Sequence, residues 1–315
     1  MSNFIICTRN IEKGEFGSEP GATKFLKLPS NSLDPKPTHA ILKREWINEV
    51  RSESATKRNE NTGRDCGEIL VFVHGYNNSQ KLVMKRHRLL KSGLKKQGFG
   101  GIVVSFDWPS ANQALNYLED RTDAKYTAIT LVDDCIKIFS KLQNTKCEIN
   151  VHLLAHSMGA YVVRESFDDA DDRKQISENN WTVSQAIFVA ADISSASMSE
   201  GNPKSSSLYR HSVRVTNYSN PFDSVLKLSN VKRAGVSRRV GRIGLPSNHP
   251  ESSVNVDCGG YYESSFGDGG QNSHSWYFDD HVFMRDLYLT ITGDSDRNVL
   301  PTRETDKEGL VSLKG

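Results

Sequence analysis

The sequence predicts an α/β fold with a mostly parallel central sheet and helices on both faces. Three observations carry this prediction. Short apolar, β-branched runs recur at 68–73, 102–106, 149–154, 186–190 and 213–217. Longer stretches with helical spacing separate several of them, at about 79–97, 121–142 and 158–168. Polar residues and glycines stand directly behind the strand runs. Strands and helices alternating in this way argue for βαβ units. Such sheets present their ligand sites beyond the carboxyl ends of the strands.

The remaining elements follow in chain order. The opening Met-Ser-Asn-Phe-Ile-Ile-Cys-Thr carries a short apolar run that reads as a first strand and lacks the regions of a signal peptide. About 10–40 is rich in Gly, Pro, Lys and Ser, and loop is expected there, with an amphipathic stretch near 42–50. A further strand candidate lies at 254–258 and a closing helix at about 276–291. The stretches 194–207, 235–252 and 259–275 are irregular and long enough to shape or cover a site. The expected organisation is one domain: an N-terminal strand and irregular extension over 1–60, the catalytic core over 61–295, and a polar C-terminal tail over 296–315.

A chain of 315 residues can bury a single large core. Its 37% hydrophobic and 25% charged residues fit a soluble globular protein. The formal charge of +2, from 40 basic and 38 acidic residues, gives no general attraction to nucleic acid or membranes. No apolar run reaches the roughly 18 residues that a membrane-spanning helix requires. Five scattered cysteines with no CxxC pair read as reduced thiols, so a cytoplasmic location is expected.

Chemistry concentrates at 149–163, where an apolar strand runs into Ala155-His156-Ser157-Met158-Gly159 and a helix begins at once. Small-x-Ser-x-Gly between strand and helix is the nucleophile elbow of the α/β-hydrolase fold. Small residues are needed two before and two after the serine because the turn is crowded. Ala155 and Gly159 meet that need, although Ala155 departs from the stricter glycine pattern. The turn lifts the Ser157 hydroxyl out of the sheet. It also leaves the Met158 N–H at a helix N-terminus, where an oxyanion would form. Helix capping by Ser157 is the plainer alternative.

His74-Gly75-Tyr76-Asn77 follows the earlier strand, and its Tyr76 N–H is the candidate second oxyanion donor. His74 precedes the serine and is expected to support this loop by hydrogen bonds. The acid and base of the triad should follow the nucleophile, in the order Ser, Asp/Glu, His. Asp223, behind the 213–217 strand in a Pro turn, is the leading acid, and Asp192 is the alternative. His274, in the Gly-rich 259–275 stretch, is the expected base. His281 lies inside the closing helix pattern, about two turns further on, and is expected to be dispensable.

Together these residues resemble an uncharacterised bacterial α/β-hydrolase family described as esterase/lipase-like. The matching pieces are Val71-Phe72-Val73-His74-Gly75-Tyr76-Asn77, Phe106-Asp107-Trp108-Pro109-Ser110, Tyr117 with Asp123, His156-Ser157-Met158-Gly159, and His274-Ser275-Trp276-Tyr277-Phe278. The resemblance covers about 68–292. It implies the fold, a Ser/Asp/His triad and hydrolysis of an acyl bond in a small-molecule or lipid substrate. Where that family usually has Pro-Asp after its sixth strand, this chain has Ala191-Asp192.

Other signals point elsewhere. Lys81, Lys85, Arg86, Arg88, Lys91, Lys95 and Lys96 crowd one helix with no acid among them, and read as a solvated face. Asp168, Asp169, Asp171 and Asp172 read as a solvated helix end without Ca²⁺-loop spacing. Gly267-Asp268-Gly269-Gly270 reads as a turn. No cofactor or metal motif is present. The expected activity is a carboxylic-ester hydrolase acting through an acyl-enzyme on Ser157. Two alternatives stand beside it: a partner-controlled, lipid-degrading effector of toxin or defence type, and a silent hydrolase-like interaction module.

Overall fold

The computed structural model describes residues 2–110, 127–136, 138, 143–144, 147–173, 181–231, 238–267 and 272–315. Its strands are β1 (Asn3–Glu12), β2 (Glu15–Leu28), β3 (Ala40–Ile41), β4 (Ala55–Arg58), β5 (Asp65–Val73), β6 (Ile102–Asp107) and β7 (Gln143–Asn144). They continue with β8 (Cys147–His156), β9 (Val183–Val189), β10 (Ser212–Ser219), β11 (Ser253–Asp257), β12 (Arg303–Thr305) and β13 (Val311–Leu313). One sheet takes them in the order β3-β2-β1-β6-β5-β8-β9-β10-β11-β13-β12, with β4 beside β5 and β7 beside β8. Every pairing from β1 through β6, β5, β8, β9, β10 and β11 to β13 is parallel. The carboxyl ends of these strands therefore share one edge, where the polar residues behind them meet.

The helices are α1 (Lys43–Ser54), α2 (Gln80–Lys96), α3 (Met158–Asp172), α4 (Pro203–Arg210), α5 (Ser224–Val231), α6 (Val240–Ile243), α7 (Gly259–Phe266) and α8 (His281–Thr292). A helical segment at 127–136 closes in a π turn over Val132–Ile136. Alternating strand residues serve two cores. Val71, Val104 and Leu153 pack among the buried residues of α1 and α3, whereas Leu70, Val103 and Leu154 join those of α2 and α8. A parallel sheet covered on both faces must be apolar at consecutive positions, which is why these strands read as unbroken apolar runs.

Several sequence expectations need correction. The stretch expected as loop over 10–40 contains β2, paired antiparallel with β1. Lys13 and Gly14 both have positive φ, at 50° and 84°, as a tight hairpin turn requires. The first half of β2 is exposed, so backbone pairing rather than side-chain burial creates it, and no apolar alternation announces it. The irregular 259–275 stretch begins with α7, whose Tyr262 and Phe266 rings pack at a tilt against Trp276; tertiary aromatic contact overrides its Gly-Gly start. Residues 194–207 and 235–252 likewise hold α4 and α6.

The polar segment 296–315 supplies β12 and β13 and a buried anchor rather than a tail. Arg303 donates from Nε to Asp286 Oδ2 at 2.9 Å and from Nη2 to Asp286 Oδ1 at 2.6 Å. Tyr218 and Thr302 also donate to this carboxylate, and both ionic side chains are fully buried. Removing one partner of a buried pair strands the other charge, at a cost of about 3–5 kcal/mol. Asp286→Ala should lower urea stability by about that amount. The double change Asp286→Leu with Arg303→Met should recover most of it, because no lone charge remains.

Candidate functional site

Strand β8 ends at His156, and Ser157 turns the chain into α3 with φ 57° and ψ −125°. A non-glycine residue held in so sparsely populated a region costs on the order of 1–3 kcal/mol. The surroundings enforce it. The Ser157 N–H donates to Val189 O at 3.0 Å, and Ser157 O accepts from Asp192 N and Ala160 N, each at 3.1 Å. A Cβ on Gly159 would come within 2.4 Å of Val73 O, so only glycine lets α3 start this close to β5. A Cβ on Gly75 would lie 2.7 Å from Ser157 Cβ, which brings the 74–78 loop directly against the serine. As the first residue of α3, Met158 has an N–H with no acceptor inside its own helix.

Asp223 and His274 meet at this edge. Behind β10, Asp223 is fully buried; its Oδ2 accepts from His274 Nδ1–H at 2.7 Å, and its Oδ1 accepts from Leu226 N at 2.9 Å. One carboxylate thus caps α5 and orients the histidine. The His274 loop is tied to the end of β10, with Asn220 Nδ2 donating to Ser273 O at 3.1 Å. His156, next to Ser157, donates from Nε2 to the His274 carbonyl at 2.8 Å. The rings of His156 and His274 stand edge-on, 4.7 Å apart. With Nδ1 engaged by Asp223, His274 Nε2 is the nitrogen left for chemistry.

Asp192 Oδ1 lies 2.9 Å from Nε of the buried Arg239, as an ion contact. His281 opens α8 with an exposed side chain.

The 74–78 loop is held from below. His74 donates from Nδ1 to Gly75 O at 2.8 Å and accepts the Trp108 N–H at Nε2, at 3.1 Å. Its ring stacks on Trp108, which donates from Nε1 to His74 O at 2.8 Å. This is the supporting role expected of His74. Asn78 donates from Nδ2 to Gly75 O at 2.7 Å and to Tyr76 O at 3.1 Å. In a trans peptide the N–H points opposite to the carbonyl. Fixing Gly75 O on Asn78 and His74 therefore turns the Tyr76 N–H away from them. Beneath the loop, burial pushes the Asp107 carboxyl up, but the Arg9 guanidinium overrides it and holds the carboxyl well below its usual range.

Burial lowers the basicity of His74 and His156, and takes His87 down to about 3. Each is neutral when folded and takes a proton near its ordinary value of 6.5 once unfolded. Their contribution to stability is complete above that pH and is lost as the pH falls. Urea midpoints should therefore decline from about pH 6.5 downward. His87→Gln, which keeps a polar contact to Ser105 without a titrating ring, should shrink the loss between pH 7 and pH 4.5. An unchanged loss would remove His87 from the account.

The structure thus gathers Ser157, Met158, Gly75, Tyr76, Asp223 and His274 at one sheet edge. His156, Asn78 and Arg86 are supports that sequence reasoning missed. The only signal for His156 was its place beside the serine. Tyr117, Asp123 and most of the 267–270 turn lie outside the described residues. Among the described residues no group of three or more His, Cys, Asp or Glu could hold a metal ion. No described helix is long and apolar enough to cross a membrane.

Several known proteins are similar to this chain. A curated, uncharacterised protein of Nostoc sp. is 25% identical over 165 residues, 40% of this chain. The match spans 42% of that relative's own length. Among solved structures, Aspergillus fumigatus lipase B aligns over 81% of this chain and 60% of its own, at 13% identity and a TM-score of 0.43. A cutinase-like protein from Cryptococcus sp. aligns over 76% of this chain and all of its own (100%), at 11% identity and a TM-score of 0.39. Residues 51–257, which include Gly75, Ser157 and Asp223, match the model of a family described as alpha/beta hydrolase of unknown function (DUF900), and the chain belongs to that family.

Proposed function

We propose that the protein is a serine hydrolase that cleaves a carboxylic ester through an acyl-enzyme on Ser157. The observation that carries this reading is the Asp223–His274 hydrogen bond of 2.7 Å, set against the elbow at which Ser157 is held with φ 57°. Asp223 fixes the Nδ1–H tautomer of His274, so Nε2 can take the Ser157 proton as Oγ attacks the acyl carbon. The developing oxyanion is stabilised by the N–H groups of Met158 and Tyr76. His274 then returns its proton to the departing alcohol, and water repeats the sequence to release the acid. Ser157 is buried to within 8% of its surface, so the substrate must approach its hydroxyl through a narrow opening.

A fluorophosphonate probe tests this without knowledge of the substrate. Ser157 Oγ bonds to phosphorus, the P–F bond breaks, fluoride leaves, and the serine proton passes to His274. Peptide mapping is expected to find the adduct on Ser157 alone. A folded protein that takes up no probe would instead be a silent module. A panel of esters with graded acyl chains then reads the substrate class.

A further inference from the structure

Arg86 breaks the pattern of its helix. Its cationic neighbours Lys81, Lys85, Arg88, Lys95 and Lys96 are exposed, as a solvated face should be, but Arg86 is only 9% exposed. Nη1 donates to Asn78 Oδ1 at 2.8 Å, and Nη2 donates to Ser275 Oγ at 2.8 Å. Its guanidinium lies 4.8 Å over the Phe278 ring. Among the described residues no carboxylate pairs with it, and burial lowers its pKa to about 10. A buried guanidinium with neutral partners only is a costly arrangement. Its two partners explain what it holds together. Asn78 fixes the Gly75 and Tyr76 carbonyls, and so the direction of the Tyr76 N–H. Ser275 directly follows His274. One rigid fork therefore joins the two loops that flank Ser157, which lie far apart in sequence.

We infer that Arg86 is a positioning residue for the hydrolytic site, setting the oxyanion loop and the His274 loop in register with each other. The flat guanidinium suits this task because its two Nη groups donate in fixed, divergent directions. A lysine in its place would keep the charge but has one nitrogen to divide between Asn78 and Ser275. His156 closes the triangle by bonding the elbow to the His274 carbonyl. The Arg86 charge also disfavours a proton on His156, which keeps that ring a neutral donor. This inference rests on the triad reading proposed above.

The test is the rate of fluorophosphonate capture by folded protein, with the maximal rate separated from probe affinity. Wild type must first label at Ser157; if it does not, the triad reading fails and the Arg86 inference fails with it. Given labelling, Arg86→Met should lower the maximal rate by about 100-fold with little change in affinity, since misplacement by about 1 Å has that effect. Arg86→Lys, which keeps the charge, should still lose about 10-fold. Arg88→Met, on the exposed face, should label as wild type does. Circular dichroism and thermal melting define the folded fraction to which each rate is referred. If Arg86→Met is too unstable to assay, Arg86→Lys carries the decision. A wild-type maximal rate in the decisive variant, or a loss confined to affinity, would overturn the assignment.

Discussion

Ser157→Ala should abolish turnover of whichever ester the panel identifies, with a loss on the order of 10⁶ in kcat. Capture of the fluorophosphonate should vanish with it. The reason is local: among the described residues no other hydroxyl shares the elbow geometry, with positive φ, Gly75 packed on one side and the start of α3 on the other. Alanine leaves the backbone strain in place, so the fold should survive but gain little. Ser157→Gly should be equally inactive and yet melt higher than Ser157→Ala, because glycine adopts φ 57° without a Cβ penalty. That pair of measurements separates the chemistry of the position from its conformation. An alanine variant retaining a tenth of the activity would place the nucleophile elsewhere.

Asp223→Asn should cost about 10⁴ in kcat, by the logic of a histidine held in the wrong tautomer. An amide at this position can present its nitrogen to His274 Nδ1, which must then accept rather than donate. The amide oxygen can still accept from Leu226 N, so α5 keeps its cap and stability should change little. Asp192→Asn provides the contrast. Its partner is the buried Arg239, and losing the negative charge should appear as lower urea stability, with a much smaller effect on kcat. If the two variants exchange profiles, the acid belongs behind β9 and the Asp223–His274 bond is structural.

The legible parts of this chain are those in which one stretch of sequence contains its own cause. The elbow was readable because an apolar strand, a small residue, a serine, a glycine and a helix pattern are contiguous. The parallel strands were readable because burial on both faces leaves unbroken apolar runs. Asp223 and His274 were singled out through chain order and position behind strand ends, and the two are hydrogen-bonded to each other. The misses share a different origin. β2 is made by pairing with β1, so its own composition reads as loop. Asp286 and Arg303 neutralise each other inside the core, and separately they read as surface charge. Arg86 sat in a run of cations and was read with its neighbours, although its contacts come from Asn78 and Ser275. Contacts between distant segments have no signature in either segment alone.

The sheet order also sets a timetable for the growing chain. β1 and β2 are joined by two residues, and a hairpin so local closes in about 1–10 µs once both arms are free. The other edge of β1 belongs to β6, which pairs Phe4 with Val104 and Ile6 with Phe106. At about 5–20 residues per second, roughly 5–20 s of synthesis separates the two strands. Through that interval the hairpin stands with one edge of its apolar first strand unpaired. The sheet must then grow outward from pairings between strands made far apart in time, a high contact order that slows folding. The same parallel order that brings the strand ends to one edge leaves one side of the β1–β2 hairpin open until β6 has been made.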